Sequence, residues 1–525
     1  MQYILSKKKP IIILLGVMMI VFVCVRFYKN SVYGIGVSHD SIFYINLANG
    51  LLQFHSYETH FGKEVLYNTH YPPLYSAILA FLSLIVSQPI EQVALIFNIF
   101  LYVLNAIILG LIVRKATNNN LYLMIIGIIS FFLAADLYLV HFHLWTEPLY
   151  LFLTNLGFLM LLNYQTSDNK NWKYFIISVI LLGLACITRY VGITAIFVCI
   201  LWLIYHNFFE NYWVNKGNIF SIFSFKILKN GIAFGIISIA PLLFWLMRNK
   251  IQSNNLTSRE ITYEAITEKI LFEGVQTIKN WVVNKYLQEP IMCYFITIVF
   301  VLFLFIIPVL LKLNKRLVIN YINQDNLKIV TLLLFYIFVY FSFLIVNKMY
   351  IDHGTPMDSR ILTPIFFSSI ILLIIGMYEL NILLKLLCKN NTIYMGSIGI
   401  IGIIICGIML SNFKYRNYYA FEQKNEGHGF NSKKNIQLEY IDILKKIPAD
   451  KRIFLHSGNF EFYYLNYLSK RPIEKLIDFE KYENKMNIKE IYVTTFTPEK
   501  DLKFSIIYNK IDTIFPEHIY KLYLP

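Results

Sequence analysis

The sequence predicts a polytopic α-helical membrane protein followed by a small α/β domain. Three observations carry this reading. Of 525 residues, 57% are hydrophobic and only 15% charged, against about 45–50% and about 25% in soluble globular chains. Apolar runs recur near the length of about 20 residues that a helix needs to cross a bilayer. From residue 413 on, the composition turns more charged and alternates strand-like with helical patterns.

The elements follow in order. The first span covers 11–28, and Lys7, Lys8 and Lys9 before it place the N-terminus in the cytoplasm. It ends in Arg26-Phe27-Tyr28-Lys29 with no small-residue cleavage site, so it reads as a retained span and not a removed signal. Loop 29–89 is then extracytoplasmic and carries His39, His55, His60 and His70. Within it, segment 41–54 sets Asn46, Asn49 and Gln53 on one side, with Ile42, Phe43, Leu47, Leu51 and Phe54 largely elsewhere. That pattern suits a helix lying in the interface. Segment 73–87 is apolar but only about 15 residues long, short for a span. If it crossed, Arg114 and Lys115 after the next span would end outside, so the charge rule favours no crossing. Further spans fall near 90–113, 120–140, 147–163, 172–188, 190–206, 231–247, 290–311, 328–346, 361–378 and 394–412. The total is about 11 spans. Cytoplasmic turns then hold Lys170 and Lys173, Lys216 with Lys226 and Lys229, Lys312 with Lys315 and Arg316, and Lys385 with Lys389. Two domains are expected: 1–412 in the membrane, and 413–525 as an extracytoplasmic α/β domain. In the tail, Lys451–His456 and Glu490–Thr495 read as strands, with a helix over Asn435–Lys446.

Composition also excludes function classes. The net charge of +15 lies largely in short loops beside spans, where topology explains it, and no nucleic-acid partner is expected. Cys24, Cys186, Cys199, Cys293, Cys388 and Cys406 lie in or beside apolar runs with no CxxC pair, so they read as small packed hydrophobes. No glycine-rich phosphate loop and no large cytoplasmic α/β domain point to a nucleotide-sugar enzyme.

The residues that carry chemistry gather, on this topology, at the extracytoplasmic ends of the spans. Asp40 opens the first loop in His39-Asp40-Ser41, ahead of His70-Tyr71-Pro72-Pro73-Leu74. His141-Phe142-His143-Leu144-Trp145-Thr146-Glu147-Pro148 forms the second outer turn. Thr188-Arg189-Tyr190 lies between two spans, and Asp358-Ser359-Arg360 leads into Ile361-Leu362-Thr363-Pro364. Ionisable groups at membrane depth are costly and mark function. Arginine offers phosphate a planar fork of donors, and a carboxylate can take the proton of an attacking hydroxyl or amine.

These segments resemble the GT-C fold glycosyltransferases, in particular the protein O-mannosyltransferase and lipid A aminoarabinose transferase group. The likeness rests on Asp40, Tyr71 to Leu74, Thr146-Glu147-Pro148-Leu149, Thr188-Arg189, and Arg360 to Pro364, over roughly residues 10–380 by order and spacing. It implies a GT-C-like fold and a polyprenyl-phosphate-linked sugar donor. It also implies inverting transfer to an extracytoplasmic acceptor (protein, glycolipid or glycan) beside membrane lipids. Carried over, Asp40 is the general base and Glu147 a second acidic catalytic-site residue that positions acceptor or base. Arg189 and Arg360 bind the donor phosphate, while His39, His70, Tyr71 and His143 are expected substrate contacts. Many relatives have Asp-Glu at the first motif where this chain has Asp40-Ser41, leaving one carboxylate in charge. No cofactor is implied with certainty. Some relatives use a divalent metal ion, and His141, His143, His60, His70, Glu58 and Glu64 are the residues here that would serve one.

Each residue also has a plain structural role to fill. Asp40 suits a helix N-terminus, Glu147 before Pro148 suits a first helical turn, Arg189 and Arg360 can reach lipid headgroups, and Pro72-Pro73 suits a helix start. Other functions predict other patterns. A transporter or flippase would show paired repeats and midplane breaks, and a polysaccharide polymerase or ligase would not need Asp40 ahead of Pro-Pro-Leu. A scaffold with a sensing tail would leave Asp40 replaceable.

Overall fold

The computed structural model describes residues 34–61, 64–167, 171–209, 225–282, 324–387 and 438–448, a scatter between 16 and 31, residue 451 and the strands of the tail. The expected spans 290–311 and 394–412 lie outside the described residues. The chain divides into two compact units, one of Met1–Asn30 and Phe97–Phe421, the other of Ser31–Ile96 and Glu422–Pro525.

The first unit is a helix bundle. Helix α3 (Ile90–Ala116) enters it, followed by α4 (Leu121–Leu133), α5 (Ala135–Phe142), α6 (Glu147–Thr166), α7 (Trp172–Cys186), α8 (Ile193–Phe209), α9 (Phe225–Ser253), α10 (Glu268–Val282), α11 (Gln324–Tyr350) and α12 (Ser359–Leu387). Among the described residues, five helices are long and apolar enough to span a membrane, or up to six if α4 and α5 count as one bent span. The apolar window of α12 is 83% buried within the protein, that of α9 only 28%. Thus α12 is the hub of the bundle and α9 turns most of its side chains outward, as suits a lipid-facing helix.

The expected span over 120–140 is present as a bent pair of helices. The chain bends by 62° between α4 and α5, at Ala134, whose backbone is extended. The break places Asp136 in the first turn of α5, where unpaired N–H groups favour negative charge. The expected span 190–206 likewise begins with a 3₁₀ turn at Tyr190–Gly192 before α8.

Small residues let the helices approach closely. Ser178 of α7 donates 2.8 Å to the Gly157 carbonyl of α6, the kind of interhelical bond that replaces a hydrophobic drive within lipid. A Cβ on Gly183 of α7 would lie 2.9 Å from the Ser238 carbonyl of α9 and 3.1 Å from the Pro241 ring. Backbone cannot swing aside as a side chain can.

The second unit holds the first loop and the tail. Helix α1 (His39–Phe54) packs against α2 (Leu74–Val86) and against a hairpin of β1 (Glu58–Phe61) and β2 (Glu64–Tyr67). The sequence reading found the two helices but not the hairpin, whose strands are only 4 residues each. The signal was Gly62-Lys63 between them, since two-residue hairpin loops often begin with Gly. In the tail, α13 (Leu438–Lys446) precedes a five-stranded sheet of order β4-β3-β5-β7-β6. Its strands are β3 (Ile453–Leu455), β4 (Ile473–Lys475), β5 (Glu490–Thr494), β6 (Lys510–Phe515) and β7 (Ile519–Tyr523). Strand β3 runs parallel to β4 and β5, while β7 runs antiparallel to β5 and β6. Both strands read from the sequence, around 453 and 490, are present at the sheet centre.

The Gly183→Ala variant is expected to lower stability by about 1–3 kcal/mol, the usual range for overpacking a tight contact. Thermal unfolding in detergent measures it, and an unchanged midpoint would show that α7 and α9 can separate freely.

Candidate active site

In the second unit the site is built on the first turn of α1. Ser38, in extended conformation, caps the helix. The Ser41 hydroxyl accepts from the Ser38 backbone N–H at 2.9 Å. Asp40 therefore stands in a first turn whose N–H groups favour an anion. The Tyr71 hydroxyl donates 2.8 Å to Asp40 Oδ1, and His39 Nδ1 lies 3.8 Å from the same oxygen. The Asp40 side chain keeps 26% of its surface open, so it is held yet reachable.

Tyr71 is itself positioned by packed elements. Asn68 donates 2.9 Å to its carbonyl, and the Tyr57 hydroxyl donates 3.1 Å to the Pro72 carbonyl. Its ring packs at 5.3 Å from Phe43, 5.1 Å from Tyr44 and 4.7 Å from His70. The structure thus brings His39, Asp40, His70 and Tyr71 into one cluster.

In the first unit, the turn between α5 and α6 is hung from two asparagines of α3 that the sequence reading missed. Asn98 donates to the carbonyls of His141 (3.0 Å) and His143 (2.7 Å). Asn105, two turns on, donates to the Pro148 carbonyl at 2.9 Å and meets His141 Nε2 at 3.0 Å. Their signal was present: two amides seven apart on one face of a long apolar run. His141 Nδ1 lies 2.6 Å from the Leu137 carbonyl, so both of its ring nitrogens are engaged within the protein.

The turn delivers Glu147 into an ion triad. Glu147 Oε1 pairs with Arg189 Nη1 and lies 2.5 Å from Arg360 Nε. Arg189 also donates 3.2 Å to the Thr146 hydroxyl. The Arg360 guanidinium lies 4.6 Å from the ring centre of Trp145, and Trp145 stacks on His143 at 4.3 Å. Glu147 is 2% exposed, whereas Arg189 and Arg360 keep 18% and 17% of their side chains open. The carboxylate is committed to the cations, and the cations reach the surface. The structure therefore joins Glu147, Arg189, Arg360 and, through Trp145, His143.

Behind the triad, the Tyr150 and Tyr336 hydroxyls meet at 2.9 Å, and Tyr340 donates 2.9 Å to the Ile361 carbonyl. Asp358 caps α12, accepting from the Ile361 N–H at 3.0 Å. Burial pushes its carboxyl above the usual carboxylate range, against the pull of that N–H and of Arg360. Among the described residues no three His, Cys, Asp or Glu side chains converge as a metal site.

Among solved structures, the chain is similar to ArnT from Cupriavidus metallidurans in the apo state, with a TM-score of 0.54, 11% identity and 97% of each chain covered. ArnT bound to undecaprenyl phosphate matches with a TM-score of 0.51 and 12% identity, also over 97% of each chain. The oligosaccharyltransferase AglB from Archaeoglobus fulgidus, in complex with an inhibitory peptide and a dolichol-phosphate, matches with a TM-score of 0.52 and 9% identity over 91% of this chain and 69% of that one. No family model and no curated protein matches the sequence. At these identities the likeness is one of fold, and the fold is GT-C, as the sequence motifs led us to expect.

The Asn98→Leu variant strips a donor from two buried carbonyls, each of which costs about 1–3 kcal/mol when left unpaired. A lowered unfolding midpoint in detergent is expected, and an unchanged midpoint would show that the 141–148 turn holds itself.

Proposed function

We propose that this protein is an integral-membrane glycosyltransferase. It moves a sugar from a polyprenyl-phosphate-linked donor to an acceptor on the extracytoplasmic side, inverting the anomeric centre. The observation that carries the proposal is Asp40, a partly open carboxylate on a helix first turn, held by the Tyr71 hydroxyl at 2.8 Å, in a chain of GT-C fold. The lipid phosphates named in two of the similar structures support a lipid-phosphate donor. The acceptor is a protein, a glycolipid or a glycan, and the inhibitory peptide held by the similar oligosaccharyltransferase is consistent with a site that admits one.

The step balances as a single displacement. Asp40 takes the proton from the acceptor hydroxyl or amine as that atom bonds to the anomeric carbon. The bond from that carbon to the phosphate oxygen breaks, and its electron pair leaves with polyprenyl phosphate. That group departs as a stable anion, so no general acid is needed. Arg189 and Arg360 hold the phosphate, since a guanidinium fork suits its oxygens. His39, His70, Tyr71 and His143 are substrate contacts in this reading. A structural or catalytic zinc needs three or four converging ligands. Among the described residues no three such side chains converge. We place the N-terminus in the cytoplasm and both Asp40 and the tail domain outside, from the distribution of Lys and Arg.

Two outcomes test this. Asp40→Asn keeps an acceptor for the Tyr71 hydroxyl but loses the base, and release of polyprenyl phosphate should fall at least about 100-fold with folding retained. Full turnover in that variant would shift the assignment to a flippase or scaffold. Tyr71→Phe keeps the carboxylate but frees it to turn. It should cost roughly tenfold in kcat, as misplacement of a reacting group does, with little change in the thermal midpoint. A matching loss of stability would make Tyr71 a packing residue only.

A further inference from the structure

The Arg189–Glu147–Arg360 triad is the one ionic cluster of the bundle whose geometry says more than the proposed mechanism uses. Both guanidiniums converge on the same carboxylate oxygen, Oε1. The second oxygen, Oε2, lies 3.4 Å from the Thr146 hydroxyl, which in turn accepts from Arg189. Arg360 is further fixed against Trp145. The Glu147 carboxylate is closed off, while both cations reach the surface, and the Asp358 carboxyl at the start of α12 lies within electrostatic reach of Arg360.

From this we propose that Glu147 is a positioning and affinity-setting residue. It competes with phosphate for the two guanidiniums and so governs release of the lipid phosphate product. The inference rests on the reading that Arg189 and Arg360 hold the donor phosphate, and deepens it. A sugar-phosphate diester carries one negative charge. The phosphate monoester left after transfer carries more, between about −1.5 and −2 near neutral pH. Two unopposed guanidiniums in a partly buried setting would hold that product too firmly. With Glu147 in place, the carboxylate reclaims both cations as the product leaves, and the arginines return to one geometry for the next donor. The shared oxygen matters here, because one carboxylate atom orients both forks together.

Binding of farnesyl phosphate to the purified full-length protein in detergent tests this, alongside steady-state turnover. Glu147→Gln should bind farnesyl phosphate at least tenfold more tightly than the unmodified protein. It should also lower kcat more than kcat/KM, with a fast first turnover followed by slow release. Glu147→Asp keeps the charge but withdraws it by one methylene, so its affinity should fall between the two. This second variant decides the matter if the first fails to fold. Equal or weaker binding in a folded Glu147→Gln, or in Glu147→Asp if that is the only folded variant, would overturn the proposal and leave the phosphate role of the arginines standing. Failure of the unmodified protein to bind farnesyl phosphate, with Arg360→Gln equally inert, would overturn both.

Discussion

A carboxylate buried in an apolar bundle has to be neutralised, and the way Glu147 is neutralised organises the first unit. Its two partners come from the turn before α8 and from the first residues of α12, 42 and 213 positions away in sequence. Glu147 itself begins α6. Three segments are thus tied at one oxygen atom. Removing one partner from such a buried group typically costs about 3–5 kcal/mol, because the remaining charge is left without compensation. That penalty fixes the relative placement of α6, α8 and α12 more sharply than apolar contact does, since lipid-like surfaces slide past one another at little cost. The hub position of α12 then has a polar cause as well as an apolar one.

The same constraint recurs on a smaller scale. Asn98 and Asn105 spend their amide donors on carbonyls of the 141–148 turn, and the break at Ala134 gives Asp136 a helix start. In each case a polar group that would be expensive in an apolar interior is satisfied by a neighbouring segment, and that segment is thereby placed. The bundle is apolar by mass but registered by these few bonds.

This explains what the sequence made legible. Long apolar runs identify spans by their sum, so α3, α9, α11 and α12 could be read directly. The alternating patterns around Ile453 and Ile491 likewise showed strands. The bend at Ala134 was not legible, because hydropathy adds across a break as readily as along a helix. The hairpin after α1 escaped because two strands of 4 residues hold too few periods to register. The members of the site were visible as residue types beside span ends. Their partnerships were not: Tyr71 meets Asp40 from 31 residues away, and Glu147 is the counter-ion of the two arginines that share its motif set. Such pairings depend on the crossing of helices, which no local pattern encodes.

The arrangement around Asp40 shows why orientation, and not strength, is the property the fold supplies to its base. In a displacement whose leaving group departs as a stable anion, the base has only to receive a proton as the new bond forms. The first-turn position and the Tyr71 hydroxyl both suit a carboxylate at this place. Its rotation matters too, and the Tyr71 hydroxyl bond to Oδ1 helps to set it. That hydroxyl belongs to a ring wedged among Phe43, Tyr44 and His70, on a backbone pinned by Asn68 and, through Pro72, by Tyr57. Two of those wedging rings, Phe43 and Tyr44, come from the same helix α1 that carries Asp40. The rings of α1 and the anchored backbone of Tyr71 thus together set where its hydroxyl meets the carboxylate.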